Sequence, residues 1–231
     1  MANFTHLHVH TQYSILDGAS NIAKLIQKVK DTGMTAIAIT DHGNMYGVKE
    51  FHNIATKNQI KPILGCETYV AAKGRADKSD SDDRSGFHLI LLAKNEQGYK
   101  NLCKLVSLAF IEGFYYKPRI DWELLAQYHE GLIASTACIA GEVPYHILNN
   151  DIEKAEQKIL DFKKLFGEDF YLELMRHKSG DPKIDDEVFA QQQIVNKALI
   201  ELSRKHQVKL IATNDVHFIN AQDAEAHDHL L

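Results

Sequence analysis

Cysteine, proline and tryptophan are scarce in this chain: three, four and one among 231 residues. Cys66, Cys103 and Cys138 make an odd and widely spaced set. That excludes a disulfide-stapled secreted scaffold and points to a reducing, cytoplasmic setting. No signal-peptide pattern opens the chain, and no apolar run is long enough to span a bilayer, so no membrane role is expected. A basic excess is missing as well. Against 31 acidic residues stand 26 Lys and Arg, for a net charge of −5 with histidine neutral. This balance speaks against a domain built mainly to grip phosphate backbones; it leaves open a local site that handles phosphate through metals. Apolar residues make up 45% and charged residues 25%, an ordinary globular balance. The length suits one large domain or two small ones, and there is no internal repeat.

What is abundant is histidine, with thirteen. Three of them, His6, His8 and His10, alternate in HLHVHTQYSILDG, with Asp17 close behind. Alternation on a strand puts the three imidazoles on one face, and three beside an acid suggest a metal. The rest of the chain alternates apolar runs with amphipathic stretches. Strands are expected at 5–11, 35–40, 61–70, 87–93, 131–136, 169–174 and 208–213. Several are continuous Val, Ile, Leu and Ala runs, as in parallel strands covered on both faces. Helical spacing occurs at 21–33, 95–110, 121–129, 151–167 and 186–207, the first with Ser20 or Asn21 as its cap and Gly33 past its end. The alternation argues for an α/β fold on a parallel sheet, open or closed. Seven strands with intervening helices suit a barrel near the size of the (β/α)8 fold. The polar stretch 71–86 reads as a mobile surface loop placed to act as a lid, and 176–186 as a second long loop. The chain stops at AQDAEAHDHLL inside a helical pattern, as natural termini and pieces of longer proteins both do.

In such a barrel, functional residues gather at the C-terminal ends of the strands. His8 and His10 close the first expected strand, and Asp17 follows it. Asp41 and His42, in ITDHG, come directly after the second. Glu67 lies late in the third, and Cys138, in STACIAGE, follows the fifth. Asp215 and His217, in TNDVHF, follow the seventh and repeat the spacing of His8 and His10. His88 is the misfit, since it opens its strand. Imidazoles, carboxylates and a thiolate suit zinc, manganese or iron rather than calcium. This many candidates imply two or three ions. Metals roughly 3.5–4 Å apart can activate water and clamp both oxygens of an in-line displacement at phosphorus, which is the case for phosphoester hydrolysis.

Blander readings stand beside these. A lone histidine is more often a hydrogen-bonded core or surface residue than a ligand. His52, His129, His146 and His206 are read that way, and His227 and His229 as a solvated helix face. Cys66 and Cys103 read as core, and Cys138 taken alone as a buried small residue. His6 stays open, grouped with His8 and His10 by spacing but further from the strand end. Asp41 is either a ligand or a carboxylate that orients a ligating histidine. Lys117 and Arg119, in YYKPRIDW, either meet substrate phosphate or form a solvated charged turn.

LHVHT and YSILDG, then ITDHG, GCETYV, HLILLAKNEQGYKNL, YYKPRID, STACIAGEV and TNDVHF occur in this order. Together they resemble the PHP (polymerase and histidinol phosphatase) domain, in the version found at the N-terminus of the bacterial replicative DNA polymerase III alpha subunit. The likeness runs through essentially the whole chain, and eight ordered motifs carry far more weight than TDHG alone. It implies a distorted, TIM-like (βα)7 barrel, a single domain over 1–231 that would be the N-terminal fragment of a longer polymerase. It also implies a trinuclear centre, with zinc, manganese or iron held by His8, His10, Asp17, His42, Glu67, His88, Cys138, Asp215 and His217. His6 falls outside that set. The activity implied is a metal-dependent 3′–5′ exonuclease action on DNA, in proofreading, with hydroxide held by the metals as the attacking group. The partners implied are a DNA 3′ end delivered by the rest of the polymerase, and other replicase subunits. In some alpha subunits several ligands are lost and the domain is structural; here all nine positions hold residues able to bind metal. Two other readings stand: a metal-stabilised interaction module without hydrolysis, and a free-standing small-molecule phosphatase, against which GCETYV and YYKPRID speak.

Overall fold

The computed structural model describes residues 4–79, 85–178 and 185–230. Strands β1 (Ala36–Ile39), β2 (Lys61–Val70), β3 (Phe87–Ala93), β4 (Phe114–Tyr115), β5 (Lys117–Ile120), β6 (Leu132–Ser135), β7 (Phe170–Met175) and β8 (Lys209–Thr213) form a mixed sheet. Around it lie helices α1 (Ile22–Asp31), α2 (Val48–Lys57), α3 (Glu96–Ile111), α4 (Trp122–Tyr128), α5 (Glu142–Leu148), α6 (Ile152–Phe166), α7 (Ala190–His206) and α8 (Ala224–Asp228). Local chemistry sets the helix starts. Asn21, Asn95, Asp121 and Asp151 accept hydrogen bonds from the backbone N–H of Lys24, Gly98, Leu124 and Lys154, satisfying donors that a helix start leaves open. Of the two expected caps of α1, Asn21 is the one used. Apolar residues at helical spacing, such as Ile22, Leu25, Ile26 and Val29, are then buried on one side of α1. None of the helices among the described residues is long and apolar enough to cross a membrane.

Six of the seven expected strands are present within a residue or two of their expected bounds. The first is different. Residues 5–11 make only isolated bridges, Val9 with Val216 and Thr11 with Ser20. Leu7 packs with the cluster of Ala38, Ile90, Leu92 and Ala137, whereas Val9 packs with the α1 and α2 cluster on the other side. His8, next to Leu7, also turns inward, and a regular strand cannot send consecutive side chains to one face. The segment still closes the ring. The Ala38 and Thr40 N–H groups donate to the His6 and Val9 carbonyls, and the His10 and Val216 N–H groups donate to the Val216 and His8 carbonyls. The circuit runs through residues 6–10, β1, β2, β3, β6, β7 and β8, a distorted seven-membered barrel of the TIM-like kind.

The sheet is not all parallel, as the apolar runs suggested. β3 runs antiparallel to both β2 and β6. Residues 71–86 join β2 to β3 with no helix among their described residues, and without a crossover the chain returns in the opposite direction. Residues 114–120, to which the sequence assigned no strand, form the β4–β5 hairpin, and β5 adds to the end of β2 through Tyr69–Arg119 and Val70–Ile120. Residues 80–84 of the expected lid and 179–184 of the second loop lie outside the described residues. The described part of the lid is pinned: Arg75 pairs with Glu112, Asp121 and Glu123 at 2.7, 2.9 and 3.0 Å.

Candidate metal centre

Several segments converge at the end of the barrel where the parallel strands finish. The N-terminal segment brings the fully buried His8 and His10, and the turn after it brings Asp17. The turn after β1 supplies Asp41 and His42, β2 supplies Glu67, the turn after β6 supplies Cys138, and the turn after β8 supplies Asp215 and His217. His88 joins them because β3 runs backwards. Its first residues lie where its neighbours end, with His88 opposite Tyr69. Strand direction thus explains the histidine that the strand-end rule could not place.

The nine side chains form one connected cluster. His8 Nε2 lies 3.0 Å from Asp215 Oδ1, 3.2 Å from Glu67 Oε1 and 3.2 Å from His10 Nε2. His10 Nε2 lies 3.1 Å from the same Asp215 oxygen. His42 Nε2 is 3.0 Å from Asp17 Oδ2, and its Nδ1 faces Glu67 Oε2. His88 Nδ1 is 2.9 Å from Glu67 Oε1 and 3.6 Å from Cys138 Sγ. His217 Nε2 is 3.8 Å from Asp17 Oδ2. Three overlapping sets hold donor atoms within 4.8 Å of one another: His8, His10 and Glu67; His10, His42 and His217; Glu67, His88 and Cys138. Glu67 belongs to two of them, as a bridging carboxylate would.

Protons alone do not satisfy this cluster. Two imidazole nitrogens face each other and share one carboxylate oxygen. Asp17 Oδ1, His42 Nδ1, Glu67 Oε2 and Asp215 Oδ1 are buried without a well-aligned hydrogen bond among the described residues, although charged neighbours crowd the last three. Divalent cations would engage these lone pairs, and the donor set suits zinc, manganese or iron. The electrostatics are strained in the same way. Burial pulls the His10 imidazole down to about 4 despite Asp215 and Glu67. Burial also lowers His42, but Asp17 and Glu67 outweigh it and push that imidazole up to about 9. Burial would raise the carboxyl of Glu67, yet His88, His42 and His8 hold it well below the usual range. Burial, with Glu67 and Asp215 beside it, raises the Cys138 thiol, which a metal would have to reverse.

The backbone is shaped to the same end. Gly43, in the DHG turn, has φ +62, and a Cβ there would lie 2.7 Å from Pro118 Cγ and 2.9 Å from the Tyr69 ring, so only glycine fits. Ala137 and Asp215 hold left-handed φ of 57 and 48. Such backbone costs on the order of 1–3 kcal/mol and concentrates at functional sites.

Behind the candidate ligands stand groups that orient them. Glu173, at 2% exposure, has its Oε1 2.8 Å from His8 Nδ1 and accepts hydrogen bonds from the Ser135 and Thr213 hydroxyls. Sequence reasoning missed it; its signal was a lone acid near the end of an apolar strand. Asp41 stands outside the three donor sets. It accepts from the Thr11 N–H and from the Thr11 and Ser14 hydroxyls, and Ser14 Oγ lies 3.0 Å from His10 Nδ1. His6 stands apart from the three donor sets. Cys66 is buried in the core as expected, but Cys103 is only partly buried. His227 is half-buried against His217 and Phe218, with ring centroids 5.8 and 5.2 Å away, rather than solvated.

Lys117 and Arg119 part company. Lys117 lines a cleft of about 450 Å³ together with Asp17, His42 and His88, its ammonium 5.5 Å from the centre of the Tyr69 ring. Arg119 is neither a phosphate ligand at that mouth nor a solvated turn residue. It is fully buried and donates to the Asp77 carbonyl at 2.7 Å, because β5 turns it inward beneath the 71–79 segment.

An α/β barrel with this donor cluster at its strand ends is a PHP fold. Residues 6–177 match the family model described as the PHP domain, and the chain belongs to the PHP family. Its relatives include the DNA polymerase III subunit alpha of Borreliella burgdorferi, 50% identical over 228 residues, and that of Aquifex aeolicus, 45% identical over 235 residues. The alignments take in 98% and 99% of this chain and 19% of each relative, so the chain spans about a fifth of their length. Among solved structures, a protein assigned as a metal-dependent phosphoesterase from Bifidobacterium adolescentis has a TM-score of 0.55 at 14% identity, covering 94% of this chain and 88% of that one. A two-domain protein from Bacteroides vulgatus that contains a PHP-like metal-dependent phosphoesterase has a TM-score of 0.52 at 13% identity, with 96% and 55% covered. At these identities the likeness shows the fold.

Proposed function

We propose that this chain is the PHP domain of a bacterial replicative DNA polymerase III alpha subunit, working in the cytoplasm, and that it cleaves phosphodiesters at the 3′ end of DNA as a metal-dependent 3′–5′ exonuclease in proofreading. The observation that carries this reading is the connected cluster of nine donor side chains, in three overlapping sets with donor atoms within 4.8 Å of one another, of which Asp17, His42 and His88 line an open cleft of about 450 Å³. The high-coverage relatives support the polymerase assignment, and the metal-dependent phosphoesterases that share the fold support the reaction class. Two or three zinc, manganese or iron ions would be held by His8, His10, Asp17, His42, Glu67, His88, Cys138, Asp215 and His217; such ions supply Lewis acidity, an acidified water and a clamp for an in-line displacement. Glu173 and Asp41 fix the rings of His8 and His10, the latter through Ser14, so that the ligand lone pairs point one way. Lys117, at the cleft wall, draws the incoming phosphate. Polymerisation and contacts with other replicase subunits would belong to the rest of the subunit.

The test is metal content by elemental analysis, followed by release of mononucleotides from a labelled 3′ end with zinc, manganese or iron. About three ions per chain and chelator-sensitive release are expected. Bound metal with no release from DNA under any ion overturns the exonuclease. That outcome would favour a second reading, a metal-stabilised structural module. One feature supports that alternative: the candidate ligands come from both sides of the point where residues 6–10 close the barrel by isolated bridges and a few backbone hydrogen bonds rather than a regular strand, so ions there would also brace the ring.

A further inference from the structure

The cleft that holds Asp17, His42 and His88 has an unusual rim. Its lining includes Ile15, Leu16, Tyr46, Phe110 and Phe114, and all five are large apolar side chains left open to solvent, with exposures of 73, 70, 60, 38 and 49%. Exposed apolar residues scattered singly need no account, but a contiguous group at the mouth of a site marks binding. They form two lips. On one side the Tyr46 and Phe110 rings lie 6.4 Å apart, and the Phe110 and Phe114 rings stack at 6.2 Å. On the other, Ile15 and Leu16 ride on a tight turn. The Asp17 and Gly18 N–H groups bond to the Ser14 carbonyl, and the Ser14 hydroxyl bonds to Asp41. This second lip is therefore presented by the same turn that carries the candidate ligand Asp17. Asp17, His42 and Lys117 line the same cleft.

Resting on the phosphodiesterase reading, we propose that the Tyr46–Phe110–Phe114 wall is a base-stacking platform, with Ile15 and Leu16 closing over the opposite face, that holds the terminal base of an unpaired 3′ end. Aromatic faces receive any base, because every base has a π-face. A site that cleaves whatever nucleotide is terminal needs that tolerance. A paired terminal base is already stacked and hydrogen-bonded within the duplex and cannot enter between the lips without fraying. The platform thus selects single-stranded or mismatched ends over matched ones, with no hydrogen-bond reading of sequence. Its place in the same cleft as the donor cluster ties it to a nucleotide rather than to a protein partner.

The experiment compares the wild-type chain with Tyr46→Ala and Phe114→Ala, and with Tyr46→Phe and Phe114→Tyr as conservative controls. Two readouts are taken. The first is equilibrium binding, without added metal, of a short single strand carrying 2-aminopurine at its 3′ end, followed by quenching of its fluorescence. The second is KM and kcat for 3′ release from a normal strand and from one whose 3′ residue is abasic. Both alanine variants should bind about 5- to 100-fold more weakly and lose the quench, raise KM with little change in kcat, and leave the abasic strand unaffected; the conservative variants should restore binding. Hydrolysis that is equally impaired on normal and abasic ends, or unimpaired on both, overturns the platform while leaving the phosphodiesterase intact. Base-dependent quenching without any hydrolysis sinks the phosphodiesterase and keeps the platform. Unchanged strand binding together with lost association with another replicase subunit overturns the proposal in favour of a protein-docking face.

Discussion

In the proposed site, residues would act in pairs, a ligand and the group that aims it. Glu173 is the clearest case, since it would reach a bound metal only through His8. Glu173→Gln keeps the shape and one acceptor but removes the charge that favours the Nδ1 proton. Metal affinity should fall about 10- to 100-fold, measured by competition with a chromophoric chelator, while the fold stays intact by circular dichroism. Lys117 and Arg119, two residues apart, should give opposite phenotypes. Lys117→Ala should raise KM for DNA severalfold and leave thermal stability unchanged. Arg119→Ala should cost more than about 2 kcal/mol in denaturant unfolding, because buried carbonyls lose their donor, with metal content per folded chain unchanged. If instead Arg119→Ala changed only KM, its burial would be misread. The sequence treated these two cations alike. What divides them is what covers β5 at each position: Lys117 is left lining the cleft, while the 71–79 segment lies over Arg119 and accepts its hydrogen bond at the Asp77 carbonyl.

Elements position these residues, and their ends are where the chain's own chemistry is most exposed to test. Asp121 caps α4 at Leu124 and also binds the backbone and guanidinium of Arg75, so it fastens the start of the 71–86 connection to a helix. Burial works against its carboxylate, but the hydrogen bonds from Arg75 and Leu124 hold its carboxyl below the usual value of 3.8. A depressed folded pKa means that this stabilisation is present above the unfolded value and is lost as pH falls through the folded one. Asp121→Ala should therefore cost about 1–2 kcal/mol at pH 7 and progressively less below pH about 4, in urea unfolding across pH. A pH-independent difference would mean that the carboxylate charge is irrelevant there. The direction of β3 belongs to this scale too. It follows from the connection that precedes the strand, and it alone brings His88 to the site.

For the whole molecule, ions would hold together segments from both ends of the chain and its middle. Chelation should lower the melting temperature. A ligand present at a hundredfold over its dissociation constant contributes about 2.7 kcal/mol, a shift of several degrees by calorimetry; no shift would mean that the barrel closes without metal. Acid should release the ions, since imidazoles must be neutral to ligate. In the metal-free chain the His42 imidazole, raised from 6.5 to about 9, is protonated at pH 7. It adds stability that is full below about 6.5 and is lost as pH rises through about 9. Metal binding at pH 7 should accordingly expel at least one proton per chain, read by calorimetry in buffers of different ionisation enthalpy.

Periodicity and punctuation in the sequence sufficed for six strands, for narrowing the cap of α1 to Ser20 or Asn21, and for the strand-end positions of His8, His10, His42, Glu67, Asp215 and His217. These depend on side-chain spacing and local hydrogen bonds, which a linear chain carries in itself. His88 and Cys138 were supported by the family likeness and not by spacing. For His88 the reason is that strand direction is a property of the sheet, and an antiparallel strand puts its beginning where its neighbours put their ends. The irregular first segment, the burial of Arg119 and the bracing of His8 by Glu173 were out of reach for a similar reason. Each depends on which surfaces meet across more than thirty residues of intervening chain, and packing makes that choice only once the barrel has closed.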